Sequence, residues 1–195
     1  MDLDELCGEH FSYRQLIECG ETWRSLTAAG GAPFDNLPRV EATFAAMRTL
    51  CAAVLDPVTV HFGRLELTYA FASAALTRRI PGRIHPPADQ HAGHEVNRRG
   101  KPICPRLGLA VDFLVPTADS REVARWIVTK TAFDRLYFYG SQRPLHVSVG
   151  PDHARQIVFM RSGPSGRLIP KVVKDDFFEE EAENDVEPDR SGRST

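Results

Sequence analysis

Residues 81–107 (PGRIHPPADQHAGHEVNRRGKPICPRL) hold five prolines and three histidines, and their apolar positions follow neither a helical nor a strand period. Proline fixes φ and removes a backbone donor, so such a stretch is excluded from helix interiors and central strands. Whatever this chain folds into must therefore carry a long irregular segment in its middle. Long loops in compact domains are usually functional or disordered.

Regular elements are legible on both sides of that segment. Before it, residues 1–36 read as a short helix and a Gly-rich loop (AAGGAP), an N-terminal helical extension. Val40, Phe44, Met47, Cys51 and Val54 then recur at helical spacing, predicting a helix with one buried stripe that stops near Asp56-Pro57. Leu65, Leu67, Tyr69 and Phe71 alternate as in a half-buried strand, and a short helix is expected over 73–79. After the loop, GLAVDFLVP reads as a strand. Asp119 and Glu122 can cap a helix whose apolar face is Val123, Trp126 and Ile127. LYFYG and LHVSVG read as two strands joined by the turn 140–144, and QIVFM as a last strand before the turn SGPSG. The sum is an α+β domain over 37–172: a small antiparallel or mixed sheet with helices on one face. Residues 173–195 are expected to be an acidic disordered tail, which would solubilise the chain or dock a protein partner.

Composition narrows the function classes. In 195 residues, 24 Lys and Arg stand against 26 Asp and Glu, and the net charge of −2 argues against a general nucleic-acid or anionic-membrane binder. The first twenty residues are acidic and polar where a secretory signal would be basic and then apolar, and no run of about 18 apolar residues occurs. Cys7, Cys19, Cys51 and Cys104 are widely spread with no C-x-x-C pair, so free thiols in a cytoplasmic protein are expected.

Strand alternation yields a geometric result. In 108–115, Leu109, Val111, Phe113 and Val115 share one face, so Asp112 points to the other. In 145–149, Leu145, Val147 and Val149 share a face, which sends His146 and Ser148 away from it. An acid and an imidazole can thus meet on the sheet face that the helices leave uncovered. One further ligand from the histidine loop would complete a three-ligand metal site with a position open for water.

At these residues the sequence resembles the zinc D-Ala-D-Ala carboxypeptidases and their relatives, which share a fold with the Hedgehog signalling domain. Their S-x-H-x-x-G-x-A-x-D motif is similar to Asp89-Gln90-His91 followed by Gly108-Leu109-Ala110-Val111-Asp112, and their second His falls at Leu145-His146-Val147. FDRLYFYGSQRPLHVSV (133–149) resembles the ending of phage-type members. TYAFASAALTRRI (68–80) and NLPRVEATFAAMRTLCAAVLDP (36–57) match the segments upstream. The resemblance covers roughly 36–150 in the family's order and implies a Hedgehog/DD-peptidase-like fold and Zn2+ held by His91, Asp112 and His146. It also implies metallopeptidase chemistry on a peptide or amide bond.

The chain departs from that pattern in three places. Twenty residues separate His91 from Asp112 where the family usually has six, which leaves His94 and Cys104 as alternative ligands. No Asp or Glu lies between Arg135 and Leu145, where family peptidases place their general base; Glu95 and Asp89 are the acids left to supply one. Ala72 stands where the family has an Arg that grips the substrate's carboxylate. Arg98, Arg99, Lys101 and Arg106 form a cationic cluster that reads as a solvated loop or an anion-binding rim. Two expectations follow: a zinc-dependent hydrolase, or a catalytically inactive carboxypeptidase-like module that keeps its metal for structure or binding within a larger phage-related or defence assembly.

Overall fold

The computed structural model describes residues 2–82, 85–163 and 166–179. The acidic stretch 180–195, to which the disordered-tail expectation chiefly applies, lies outside the described residues. Six strands form one mixed sheet: β1 (Glu66–Tyr69), β2 (Leu109–Leu114), β3 (Arg135–Phe138), β4 (Leu145–Val149), β5 (Gln156–Ser162) and β6 (Leu168–Val173). Their spatial order is β1-β2-β4-β3-β5-β6, with β3 and β5 parallel and every other pair antiparallel. With its helices, the chain is of the α+β class.

The helices are α1 (Tyr13–Glu18), α2 (Glu21–Gly30), α3 (Glu41–Leu50), α4 (Asp56–Phe62), α5 (Ala74–Thr77) and α6 (Ser120–Lys130). Between α3 and α4 the chain does not stop at Asp56-Pro57. Cys51–Leu55 forms a π turn, and the Asp56 N–H donates to the Cys51 carbonyl five residues back. A proline ring clashes with the carbonyl four residues before it, and the wider turn gives Pro57 room inside a continuous helix. The joined helix Glu41–Phe62 spans 22 residues with a mean hydropathy of 1.3 in its most apolar window, long and apolar enough by those measures to cross a membrane. Half of that window is buried against the rest of the molecule.

The helices supply one wall of the core. Met47, Leu50, Val54 and Leu55 from α3 and the π turn, with Val123 and Ile127 from α6, pack with Leu109, Val111, Phe113, Leu136 and Val147 of the sheet. Asp119 caps α6 by accepting the Arg121 N–H at 2.7 Å. The N-terminal residues are no appendage: Phe11, Tyr13, Leu16 and Ile17 are buried in the same core. The extension expected over 1–36 thus shares its core with the residues that follow. At the other end, β6 goes beyond the strands expected from the sequence, and Phe178 in the 3-10 turn Asp175–Phe178 is also buried in the core. The ordered part thus runs past 173, because two adjacent phenylalanines have apolar surface to bury despite the surrounding acids.

The opposite sheet face is not open, contrary to the expectation. All five residues of β4 are buried, His146 and Ser148 included. What covers them is the proline- and histidine-rich loop. Gln90 donates to the Leu107 carbonyl at 3.0 Å and to Asp134 at 3.2 Å, and accepts from the Ser148 hydroxyl at 3.0 Å. A single amide side chain thereby ties the middle of the loop to its last residue and to the sheet.

Candidate metal centre

Register fixes half of the site. Across four neighbouring strands, Tyr69, Asp112, His146 and Tyr137 are paired in one row. Paired positions share a sheet face, so the carboxylate and the imidazole are brought together by backbone pairing alone. His146 Nδ1 lies 2.7 Å from Asp112 Oδ1.

The loop provides the third group. A 3-10 turn over Gln90–Ala92 opens at Asp89, whose carboxylate accepts the His91 N–H at 3.1 Å. The Ala72 N–H donates to the His91 carbonyl at 2.9 Å, which anchors the turn to the chain after β1. These contacts hold the His91 ring 4.9 Å from the His146 ring and 5.3 Å from that of Tyr69. His91 Nε2 then stands 3.3 Å from Asp112 Oδ1. One ligand atom from each of His91, Asp112 and His146 lies within 4.8 Å of the others, a group that could hold a metal ion.

The twenty residues between His91 and Asp112 do not carry the histidine away. They leave as a small excursion: Val96 bridges Pro102, and the Ile103 N–H returns to the Glu95 carbonyl at 2.8 Å. The chain re-enters the sheet through Leu107 and Gly108, both at positive φ, 55° and 70°. Only glycine fits at 108, because a Cβ there would stand 1.8 Å from the Val149 carbonyl oxygen. Neither alternative ligand joins the cluster. His94 Nε2 accepts the Gly108 N–H at 3.1 Å, and Cys104 Sγ faces the Pro87 carbonyl at 3.4 Å.

The electrostatics suit a cation. His91 Nδ1 is 2.7 Å from the Ala70 carbonyl oxygen, which can only accept, so Nδ1 carries the hydrogen. Nε2 is then the ring nitrogen left to face the carboxylate oxygen. Burial by itself would raise the Asp112 carboxyl, but the His91 and His146 rings outweigh it and hold it below the usual carboxylate range. His91 and His146 are 3% and 7% exposed, whereas the Asp112 side chain remains 30% exposed. Asp112 is thus the group that meets solvent, in a cleft of about 350 Å3 that Thr68, Tyr139, Gln142, Arg143 and Pro144 also line.

The remaining acids and bases have other duties. Glu95 is buried and accepts the N–H groups of Arg39 and Val40 and the Thr43 hydroxyl, capping α3 from a distance. Asp89 holds the His91 backbone. Among the described residues, Asp112 is the one carboxylate lining the cleft. In the cationic cluster, Arg106 donates to the Ala88 carbonyl at 3.2 Å and to the Tyr137 hydroxyl at 3.3 Å, while Arg98, Arg99 and Lys101 are exposed. Sequence reasoning missed Tyr137 as a neighbour of the site, though its ring lies 5.0 Å from that of His146. Its position two residues before Tyr139, in a strand beside β4, was the available signal. No family model matches the chain, and neither a curated protein nor a solved structure matches it.

Proposed function

We propose that the chain is a zinc-binding hydrolase of the D-Ala-D-Ala carboxypeptidase-like kind, acting on a peptide or amide bond in a reducing, cytoplasmic setting. One observation carries the metal: one ligand atom from each of His91, Asp112 and His146 lies within 4.8 Å of the others, with His91 Nε2 3.3 Å from Asp112 Oδ1 while its Nδ1 is committed to Ala70. A divalent ion placed between them would be ligated by the Nε2 of a neutral His91 and by the carboxylate together. A tetrahedral ion with ligands at about 2.0–2.1 Å sets neighbouring ligand atoms about 3.3 Å apart, and two imidazoles with one carboxylate are a common zinc donor set. The Ala70 carbonyl acts as the outer partner that fixes the tautomer of a ligating histidine. Bound there, a divalent ion supplies charge to polarise a carbonyl and to acidify a water.

The chain's own part is positioning and enclosure. Gln90 and Asp89 fix the loop that carries His91, Tyr69 and Tyr137 flank the imidazoles, and the cleft beside Asp112 admits a small substrate. That Asp112 is the one carboxylate lining the cleft among the described residues favours a second reading: an inactive carboxypeptidase-like module whose ion serves structure or binding within a larger assembly. Metal analysis tests what the two readings share. About one zinc per chain is expected, with loss of the metal in His146→Ala. Wild-type protein that takes up no divalent metal sinks both. Assay of the zinc-loaded protein on amide and peptide substrates then separates them: turnover above the metal-stripped protein supports the hydrolase, and equal rates support the inactive module.

A further inference from the structure

Away from the metal centre, two thiols lie against each other. Cys7 Sγ is 3.2 Å from Cys51 Sγ, and the residues are 5% and 0% exposed. We propose that Cys7 and Cys51 are a peroxide-sensitive dithiol, closing reversibly to a disulfide that fastens the N-terminal segment to the helix over the sheet. A sulfur–sulfur bond is about 2.05 Å long, so the two atoms have to approach by about 1.2 Å.

The backbone on both sides of Cys7 is already held for that closure. Leu6 bridges Ser12, and the Cys7 N–H donates to the Phe11 carbonyl at 2.8 Å. Gly8 lies so near the helix that a Cβ there would be 2.5 Å from Cys51 Cβ and 2.4 Å from Asp56 Oδ2. The buried Asp56 carboxylate accepts the N–H groups of Glu9 and His10 at 2.9 and 3.2 Å. The segment is thereby pinned against the π turn that Cys51 opens, and the thiols face each other without any rearrangement of the fold.

The chemistry of the pair is asymmetric. The hydrogen bond from the Cys51 thiol pulls the Cys7 thiol below its ordinary pKa, and the same contact, with burial, pushes Cys51 far up. Cys7, 5% exposed against 0% for Cys51, is also the sulfur that a peroxide from solvent reaches first, so Cys7 attacks and Cys51 resolves. The Cys7 thiolate attacks one oxygen of hydrogen peroxide and the O–O bond breaks. The departing hydroxide takes the proton that Cys7 gave up and leaves as water, with Cys7 now a sulfenic acid. The Cys51 sulfur then attacks Cys7 Sγ, the S–O bond breaks, and the leaving hydroxyl takes the Cys51 proton as a second water. Two thiols lose two electrons and one peroxide is reduced to two waters. Peroxide suits the site because both sulfurs are buried and a bulky disulfide oxidant would have to lift the segment first. The other cysteines serve as controls: burial pushes Cys19 up to about 12 and raises Cys104 as well.

Peptide mapping of the full chain after peroxide treatment tests this. The expected product has an intact mass lower by two hydrogens and one cross-linked peptide joining Cys7 to Cys51. Dithiothreitol reverses it, and Cys19 and Cys104 remain alkylatable after unfolding. In Cys51→Ser the cross-link is lost and dimedone traps Cys7. In Cys7→Ser, Cys51 is expected to stay unoxidised, which keeps the test decisive if the first variant fails to fold. Free Cys7 and Cys51 in folded wild type at a large peroxide excess would overturn the proposal. So would a cross-link between other cysteines, or Cys7 driven to sulfinic acid without a cross-link.

Discussion

His94 and His91 stand three residues apart in one loop, and single hydrogen bonds decide their roles. His91 gives its Nδ1 hydrogen to Ala70, which turns Nε2 toward Asp112; His94 turns Nε2 toward the Gly108 N–H. An imidazole that accepts a backbone hydrogen bond must be neutral there, and burial lowers the pKa of His94. The sign of the pH effect follows. The unfolded chain takes up the proton near the ordinary value of about 6.5, while the folded state resists it. The contribution of His94 is therefore present in full above that pH and is lost as pH falls through the lowered folded value. Urea midpoints measured from pH 8 to pH 5 should fall more steeply for wild type than for His94→Gln; parallel curves would remove the role. Asp112 and His146 are legible in the sequence because a two-residue period assigns every strand side chain to a face. His91 is not separable there from His85 and His94, since an aperiodic loop has no face. What selects it are the Ala70 carbonyl and the Asp89 carboxylate, contacts that no local pattern announces.

Among the elements, α3 shows how far a cap can lie from its helix. Its start lacks a local side-chain cap, and Glu95, more than fifty residues away in sequence, accepts from Arg39, Val40 and Thr43. Removing a buried acceptor strands its donors at about 1–3 kcal/mol each, so Glu95→Ala should destabilise by about 3 kcal/mol or more. Chemical denaturation gives the number, and a loss near zero would mean that water replaces the carboxylate. This role also explains why Glu95 is no candidate for proton transfer. The helix stripe from Phe44 to Val54 is readable from its period, but its end is not. Proline is a sound stop signal in an ordinary α-helix, and only the π turn at Cys51–Leu55 lets the chain run on through Pro57. The excursion between Glu95 and Ile103 is equally hidden: the spacing gives its length, whereas its closure depends on one backbone hydrogen bond.

At the scale of the whole molecule, the α+β class is accessible because strand and helix periods are clear along 36–80 and 108–162, on either side of the aperiodic loop. The limits of the core are not. Composition assigns 1–36 to an extension and 173 onward to a tail, yet Leu16 and Phe178 are both buried in the main cluster. Composition averages over a window, and a few well-placed apolar residues are enough to tie a polar segment down. Phe178→Ala should cost about 3–5 kcal/mol, the usual range for deleting a buried phenylalanine, and a thermal melt will report it. A change of a few tenths would show that the 3-10 turn contributes little. The position of the three candidate ligands has a further consequence. They come from a loop, a second strand and a fourth strand, so none of them approaches another until distant stretches of chain have paired. An ion captured by this trio would recognise only a chain in which β2 has paired with β4 and the loop has docked, so its uptake during refolding would act as a clock for that long-range assembly rather than for any one hairpin.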